Sequence, residues 1–189
     1  MTAMVDPEAV LARFYPSDSP TLALLRRHGR QVADKAMAVA DRVAHLDPDR
    51  RFLFEAAMLH DVGIFQTDAP GLGCHGKSPY VCHGVLGRRL LEGIGLPRHA
   101  LVCERHVGTG LSAEEIRARH LPLPVRDMRP VSLEEEIICY ADKFFSKNGR
   151  TAEQGRSVAE VGDLLAAYGL EQVARFQRWV QRFEAPDAS

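Results

Sequence analysis

The sequence predicts an all-α protein, a single-domain helical bundle of about eight or nine helices. Three observations carry this: capping residues recur along the chain, apolar residues repeat at helical spacing, and almost nothing alternates as a strand does. Asp6-Pro7, Ser19-Pro20, Asp47-Pro48 and Ser78-Pro79 each set a capping side chain before a proline at the first helical position. Ser112, Ser132 and Ser157 each carry a glutamate three residues on, and Thr151 carries Gln154, which is the capping-box spacing.

In chain order, Asp6-Pro7 opens a helix over 7–14, and Ser19-Pro20 opens one over 20–46 with the inward stripe Leu25, His28, Val32, Ala36, Val39 and Val43. A helix over 49–61 follows, in which Leu53, Ala56 and Ala57 lead to His60. His83 shares a face with Leu86, Leu90 and Ile94 over 79–93; Val102 and Cys103 share one with His106 over 97–107. Helices follow at 112–119 and 132–147, the latter with Ile138 and Phe145 flanking Asp142. In 157–167, Val158, Val161, Leu165 and Tyr168 form one face; in 170–183, Leu170, Val173, Phe176, Val180 and Phe183 do the same. Trp179 reads as a packing residue or a subunit contact. The two long irregular stretches are 62–78 and 120–131, and loops of that length in a compact domain are often functional.

At 189 residues the chain is long enough for one domain with a buried core. A formal net charge of -1 argues against a nucleic-acid partner held by broad charge attraction, while leaving room for a local basic pocket. No apolar run approaches the roughly 20 residues that span a bilayer. The N-terminus lacks a basic segment followed by an apolar one, so no membrane partner and a cytoplasmic location are expected. Cys74, Cys82, Cys103 and Cys139 form no C-x-x-C pair and read as reduced thiols. The repeated pairs Cys74-His75 and Cys82-His83 suggest a structural zinc site, but their spacing fits no common template.

The chemistry lies in polar residues on apolar faces. His28, His60, His83, His106 and Asp142 each sit where their helix should be buried, and Asp61 follows His60 directly. A lone inward histidine is usually a hydrogen-bonded core residue. An unpartnered buried carboxylate is harder to accommodate, because its desolvation costs several kcal/mol. Lys143, as the sequence neighbour of Asp142, should point about 100° away from it. Gly63 offers backbone freedom through which the dyad could unwind and turn both side chains inward. A divalent cation among the imidazoles would compensate both carboxylates.

In this order, His28, His60-Asp61, His83, His106 and Asp142 resemble the pattern of the HD-domain superfamily of metal-dependent phosphohydrolases, and His60-Asp61-Val62-Gly63 resembles its H-D-I-G variant. The resemblance implies an N-terminal extension over 1–19, an HD domain over 20–150, and C-terminal helices packed on it over 151–189. It implies a first divalent metal on His28, His60, Asp61 and Asp142. His83 and His106 are then extra ligands to a second, bridged by Asp61. The candidate ions are iron, manganese, zinc, nickel and magnesium. Small bacterial members, including diadenosine tetraphosphate hydrolases, look nearest in size and motif order. Two departures stand out: Ile64-Phe65 replaces the lysine that many relatives place after the glycine, and Val107-Gly108-Thr109-Gly110 after His106 lacks the motif of cyclic-di-GMP phosphodiesterases.

The expected activity is hydrolysis of a nucleotide or other small phosphorylated metabolite, with His60 and Asp61 as catalytic residues and water made acidic by a metal. Lys77, Arg105, Lys143 and Lys147 are candidate phosphate contacts. The same ligand pattern in relatives such as myo-inositol oxygenase makes a diiron oxygenase the alternative, and a non-catalytic nucleotide or metal sensor a third. A homo-oligomer stays open.

Overall fold

The computed structural model describes residues 4–149 and 151–184, the side chains of 151 and 152 excepted. The chain is all-α, with ten α-helical segments among the described residues. They are α1 (Pro7–Leu11), α2 (Pro20–Arg42), α3 (Arg50–Leu59), α4 (His83–Gly93), α5 (Pro97–Arg105), α6 (Ala113–Ala118), α7 (Leu133–Asp142), α8 (Thr151–Gln154), α9 (Val158–Ala166) and α10 (Leu170–Phe183). None of the described helices is long and apolar enough to cross a membrane. Inside the 62–78 stretch lies a short ribbon, β1 (Asp68–Ala69) antiparallel to β2 (Cys74–His75).

Several starts follow the expected caps. Asp6 accepts from Glu8 N–H and Ser19 from Leu22 N–H, and complete capping boxes form at Ser112–Glu115 and Ser157–Glu160. Others do not. Asp49, not Asp47, caps α3, because Asp47 adopts a left-handed conformation that turns the chain after α2. Pro79 begins only a short 3-10 turn, and α4 starts at His83. Ser132 receives Glu135 N–H, but the Glu135 carboxylate is taken by Arg105. The box expected at Thr151 lies outside the described side chains.

α2, at 23 residues, is the spine. It packs against α3 and α7, and the main core runs from Val32 through Leu53 and Ile138 to Val161, Phe176 and Phe183 of α9 and α10. Trp179 is buried here as a packing residue. The expected apolar faces of the last two helices hold only in part. Val161 and Leu165 are buried, whereas Val158, Tyr168 and Leu170 are exposed. In their place α10 buries Gln172 and Arg175, which bind Thr109, Gly110 and Glu115 and fasten the turn that follows α5.

A second core joins Leu11, Leu22, Leu59, Ile64, Leu91 and Cys103, bringing the end of α3 against α4 and α5. The approach there is close enough to need glycine. A Cβ on Gly63 would lie 2.3 Å from Gly87 N and 2.4 Å from His83 O, and one on Gly84 would lie 2.5 Å from Cys103 O. Gly63 has an ordinary right-handed conformation (φ -84°, ψ -2°), so its value is the missing side chain and not the backbone freedom the sequence suggested.

Candidate metal centre

α3 ends at Leu59, and the chain continues in tighter turns, Val62 N–H to Leu59 O and Ile64 N–H to Asp61 O. Tyr15 fixes this turn from α1's side by donating to Val62 O at 2.7 Å. The turn presents His60 and Asp61 to the same buried point, their Nε2 and Oδ2 atoms 3.1 Å apart. From α2, His28 brings Nε2 to 3.3 Å of Asp61 Oδ2 and 2.9 Å of Asp142 Oδ1, which comes from the last residue of α7. His60 Nε2 stands 3.4 Å from the same Asp142 oxygen.

On the other side of Asp61, His83 at the start of α4 and His106 at the end of α5 each place Nε2 3.4 Å from Oδ1. Two groups able to hold a metal ion result: His28, His60, Asp61 and Asp142, and then Asp61, His83 and His106. Asp61 is common to both, and all six residues are buried.

Backbone carbonyls orient three of the imidazoles. His60, His83 and His106 place Nδ1 at 2.6, 2.7 and 2.7 Å from the carbonyls of Ala57, Tyr80 and Cys103, in each case three residues earlier. A carbonyl only accepts, so Nδ1 carries the proton and a neutral ring turns its Nε2 lone pair inward. His83 and His106 then aim lone pairs at each other across 3.0 Å. His60 Nε2 and both Asp61 oxygens make no hydrogen bond of good geometry among the described residues. Buried donors so arranged fit a cation.

Electrostatics point the same way. Burial raises Asp61, but Lys147 and His60 outweigh it and hold the carboxyl well below the usual range. For Asp142, burial is likewise overcome by Lys143, His28 and His60. Burial, joined by His106, pulls His83 down to about 3, and burial also lowers His28 and His106. His60 differs: burial lowers it, yet Asp61 and Asp142 together carry it up to about 9. Three neutral imidazoles and two carboxylates are the form a divalent ion binds, and it would displace the fourth proton.

Asp142, alone of the six, lines a cleft of about 330 Å³ that is also bounded by Tyr80, Lys143, Phe145, Lys147 and Arg156, among others. Of the four expected phosphate contacts, Lys143 and Lys147 line it. Lys143 reaches back to Asp142 Oδ2 at 2.7 Å, against the expected divergence, and its Nζ also donates to His106 O at 3.0 Å. Lys147 Nζ lies 2.7 Å from Asp61 Oδ2.

The other two are corrected. Arg105 points away and donates from Nη1 to both carboxylate oxygens of Glu135, and Lys77 is exposed and does not line the cleft. Tyr80 and Arg156 were not anticipated; only proximity in the fold singles them out. Nor do the cysteines build a zinc site. Cys82 donates to Pro122 O, His75 is exposed, and no cluster among the described residues includes a cysteine.

A helical bundle that delivers imidazoles and carboxylates from five helices and their ends to one buried cluster is an all-α protein with a candidate metal centre. The model of the HD domain matches residues 25–146, and the chain belongs to that family, whose members bind divalent metals and are typically hydrolases. It is 30% identical over 146 residues to a tRNA (cytidine(56)-2'-O)-methyltransferase of Picrophilus torridus, covering 72% of this chain and 38% of that protein. The same-named protein of Thermoplasma volcanium is 30% identical over 151 residues, covering 79% and 38% respectively. An uncharacterized protein of Methanocaldococcus jannaschii is 35% identical over 109 residues, 57% of each chain. The chain therefore spans well under two thirds of the relatives it matches. No solved structure matches it.

Proposed function

We propose that the chain is a metal-dependent phosphohydrolase acting on a nucleotide or similar small phosphorylated metabolite. In this reading His28, His60, Asp61 and Asp142 hold one divalent ion, and Asp61, His83 and His106 hold a second. The observation that carries it is the pair of inward lone pairs on His83 and His106, 3.0 Å apart beside an Asp61 carboxylate that lacks a good hydrogen bond. Such an arrangement is repulsive without a cation between the rings. Divalent ions held there would supply Lewis acidity and lower the pKa of a water molecule.

The chain's own residues do the rest. Asp61 would orient the attacking water, while Lys143 and Lys147, each held by a ligand carboxylate, contribute positive charge at the cleft wall. The methyltransferase activity named for two relatives belongs to proteins of which this chain matches 38%, and the reading here rests on ligands for cations instead.

The test is elemental analysis of protein purified without chelators, followed by anaerobic phosphate release from a panel of nucleotides with manganese, iron or zinc. Two ions per chain are expected, falling to one in His83→Ala or His106→Ala, and Asp61→Asn should abolish turnover while keeping the helical circular dichroism. Retained turnover in metal-loaded Asp61→Asn would sink the assignment. So would oxygen consumption by the iron form with no phosphate released.

A further inference from the structure

Resting on the phosphohydrolase reading, we infer that Arg156 anchors the phosphate of a phosphomonoester whose single ring lies on the apolar wall of the cleft, and that this wall selects the substrate. Two of the cations on the cleft are already engaged: Lys143 with Asp142 and Lys147 with Asp61. Arg156 has no carboxylate partner among the described residues. Its guanidinium is only steadied, by Nη1 donating to Lys143 O at 3.4 Å.

The backbone beneath Arg156 is held firmly. Arg156 N–H donates to Phe144 O at 2.7 Å, and Gly155, at φ +71°, turns the chain tightly over the Phe145 ring. A planar fork held over a cleft beside a metal cluster suits a phosphate dianion, which it can grip with two parallel bonds.

Leu72, Phe145 and Leu164 give the cleft apolar lining beside the cations. At about 330 Å³ the space is near the lower end of small-molecule sites, roughly 300–1,000 Å³. That suits one ring and one phosphate, such as a nucleoside monophosphate, better than a dinucleotide with two bases. Lys147, Arg156 and Leu164 all lie beyond residue 146, where the family match stops. The ligand cluster and part of the apolar wall, Leu72 and Phe145, thus lie within the family match, while Arg156 and Leu164 add to the cleft from beyond it.

The experiment compares wild type, Arg156→Gln, Arg156→Lys and Leu164→Ser, all manganese-loaded. Binding of inorganic phosphate is read by calorimetry, and hydrolysis is read on nucleoside monophosphates and on bis(p-nitrophenyl) phosphate. Arg156→Gln should weaken phosphate binding and raise KM for monophosphates by about 10- to 100-fold, as expected for a charge-assisted pair. Metal content should change less than threefold. Arg156→Lys should recover part of the loss. Leu164→Ser, at an exposed position, should raise KM for nucleoside monophosphates and leave phosphate binding alone.

Unchanged phosphate affinity in Arg156→Gln, with turnover intact, overturns the anchor and spares the hydrolase. Arg156-dependent phosphate binding with no turnover on any ester overturns the hydrolase and keeps the anchor. A wild type that binds no phosphate overturns the anchor outright.

Discussion

Changing Gly63 to alanine should unfasten the second half of the centre before the first. The added Cβ would sit 2.3 Å from Gly87 N and 2.4 Å from His83 O, where ordinary contacts begin at 3.4 Å. Relief requires about 1 Å of movement, and both obstacles are backbone, so no rotamer change can supply it. Overpacking of this kind costs about 1–3 kcal/mol, and a backbone obstacle places it at the upper end. For a chain of this length about 3 kcal/mol corresponds to a fall of roughly 6–12 °C in Tm.

Because one obstacle is His83's own carbonyl, α4 must shift and carry that imidazole from Asp61. His28, His60 and Asp142 come from α2, the end of α3 and α7, which do not touch Gly63 across this contact. Urea unfolding and metal analysis of Gly63→Ala should therefore show a loss of about 3 kcal/mol and one ion per chain in place of two. Gly162→Ala is the control. It lies inside α9 with nothing within 4 Å of its would-be Cβ, so it should gain up to about 1 kcal/mol. A Gly63→Ala protein with wild-type stability and metal content would refute the close-approach argument.

Two further outcomes follow from the charges. In chelator-stripped protein, His83 binds its proton only near pH 3, whereas the unfolded chain binds one below about 6.5. The stability it gives is full above 6.5 and declines as pH falls toward 3, by about 2 kcal/mol at pH 5. His60, raised to about 9, works in the opposite sense, and its contribution is present below 6.5 and lost as pH rises through 9. Urea midpoints between pH 5 and 9.5 should peak near neutrality, and a curve rising steadily to pH 9.5 would contradict this. Separately, Glu104 is buried between Arg88 of α4 and Arg126 of the 120–131 stretch. Glu104→Ala should cost about 2 kcal/mol, less than a fully buried pair because Arg126 is half exposed. Denaturant unfolding checks it.

The sequence made the helices and all six inward polar residues legible, because helical spacing reports which way a side chain points. It could not report how helix ends meet. Lys143 was read as diverging from Asp142 by the geometry of an intact helix, yet its flexible stem brings Nζ to Asp142 and to the carbonyl of His106, thirty-seven residues away. Arg105 next to His106 looked like a phosphate contact until Glu135, thirty residues away, claimed it. Leu170, apolar and in phase, is exposed, while Gln172 and Arg175 are buried, because their partners lie in the turn after α5. Arg156 carried no local signal at all. Contacts between residues far apart in sequence decide these positions, and periodicity is blind to them.

Asp61 sits at a seam. One set of imidazoles rides on the bundle of α2, α3 and α7, the other on the paired helices α4 and α5, and Asp61 alone faces both. An ion gripped on each side of that carboxylate would therefore rivet two packing units together, so that loading the centre is also a mechanical event. The same layout makes the second side dispensable to the architecture. A chain could trade away His83 and His106, convert a two-ion chemistry to a one-ion chemistry, and leave the spine of the fold untouched.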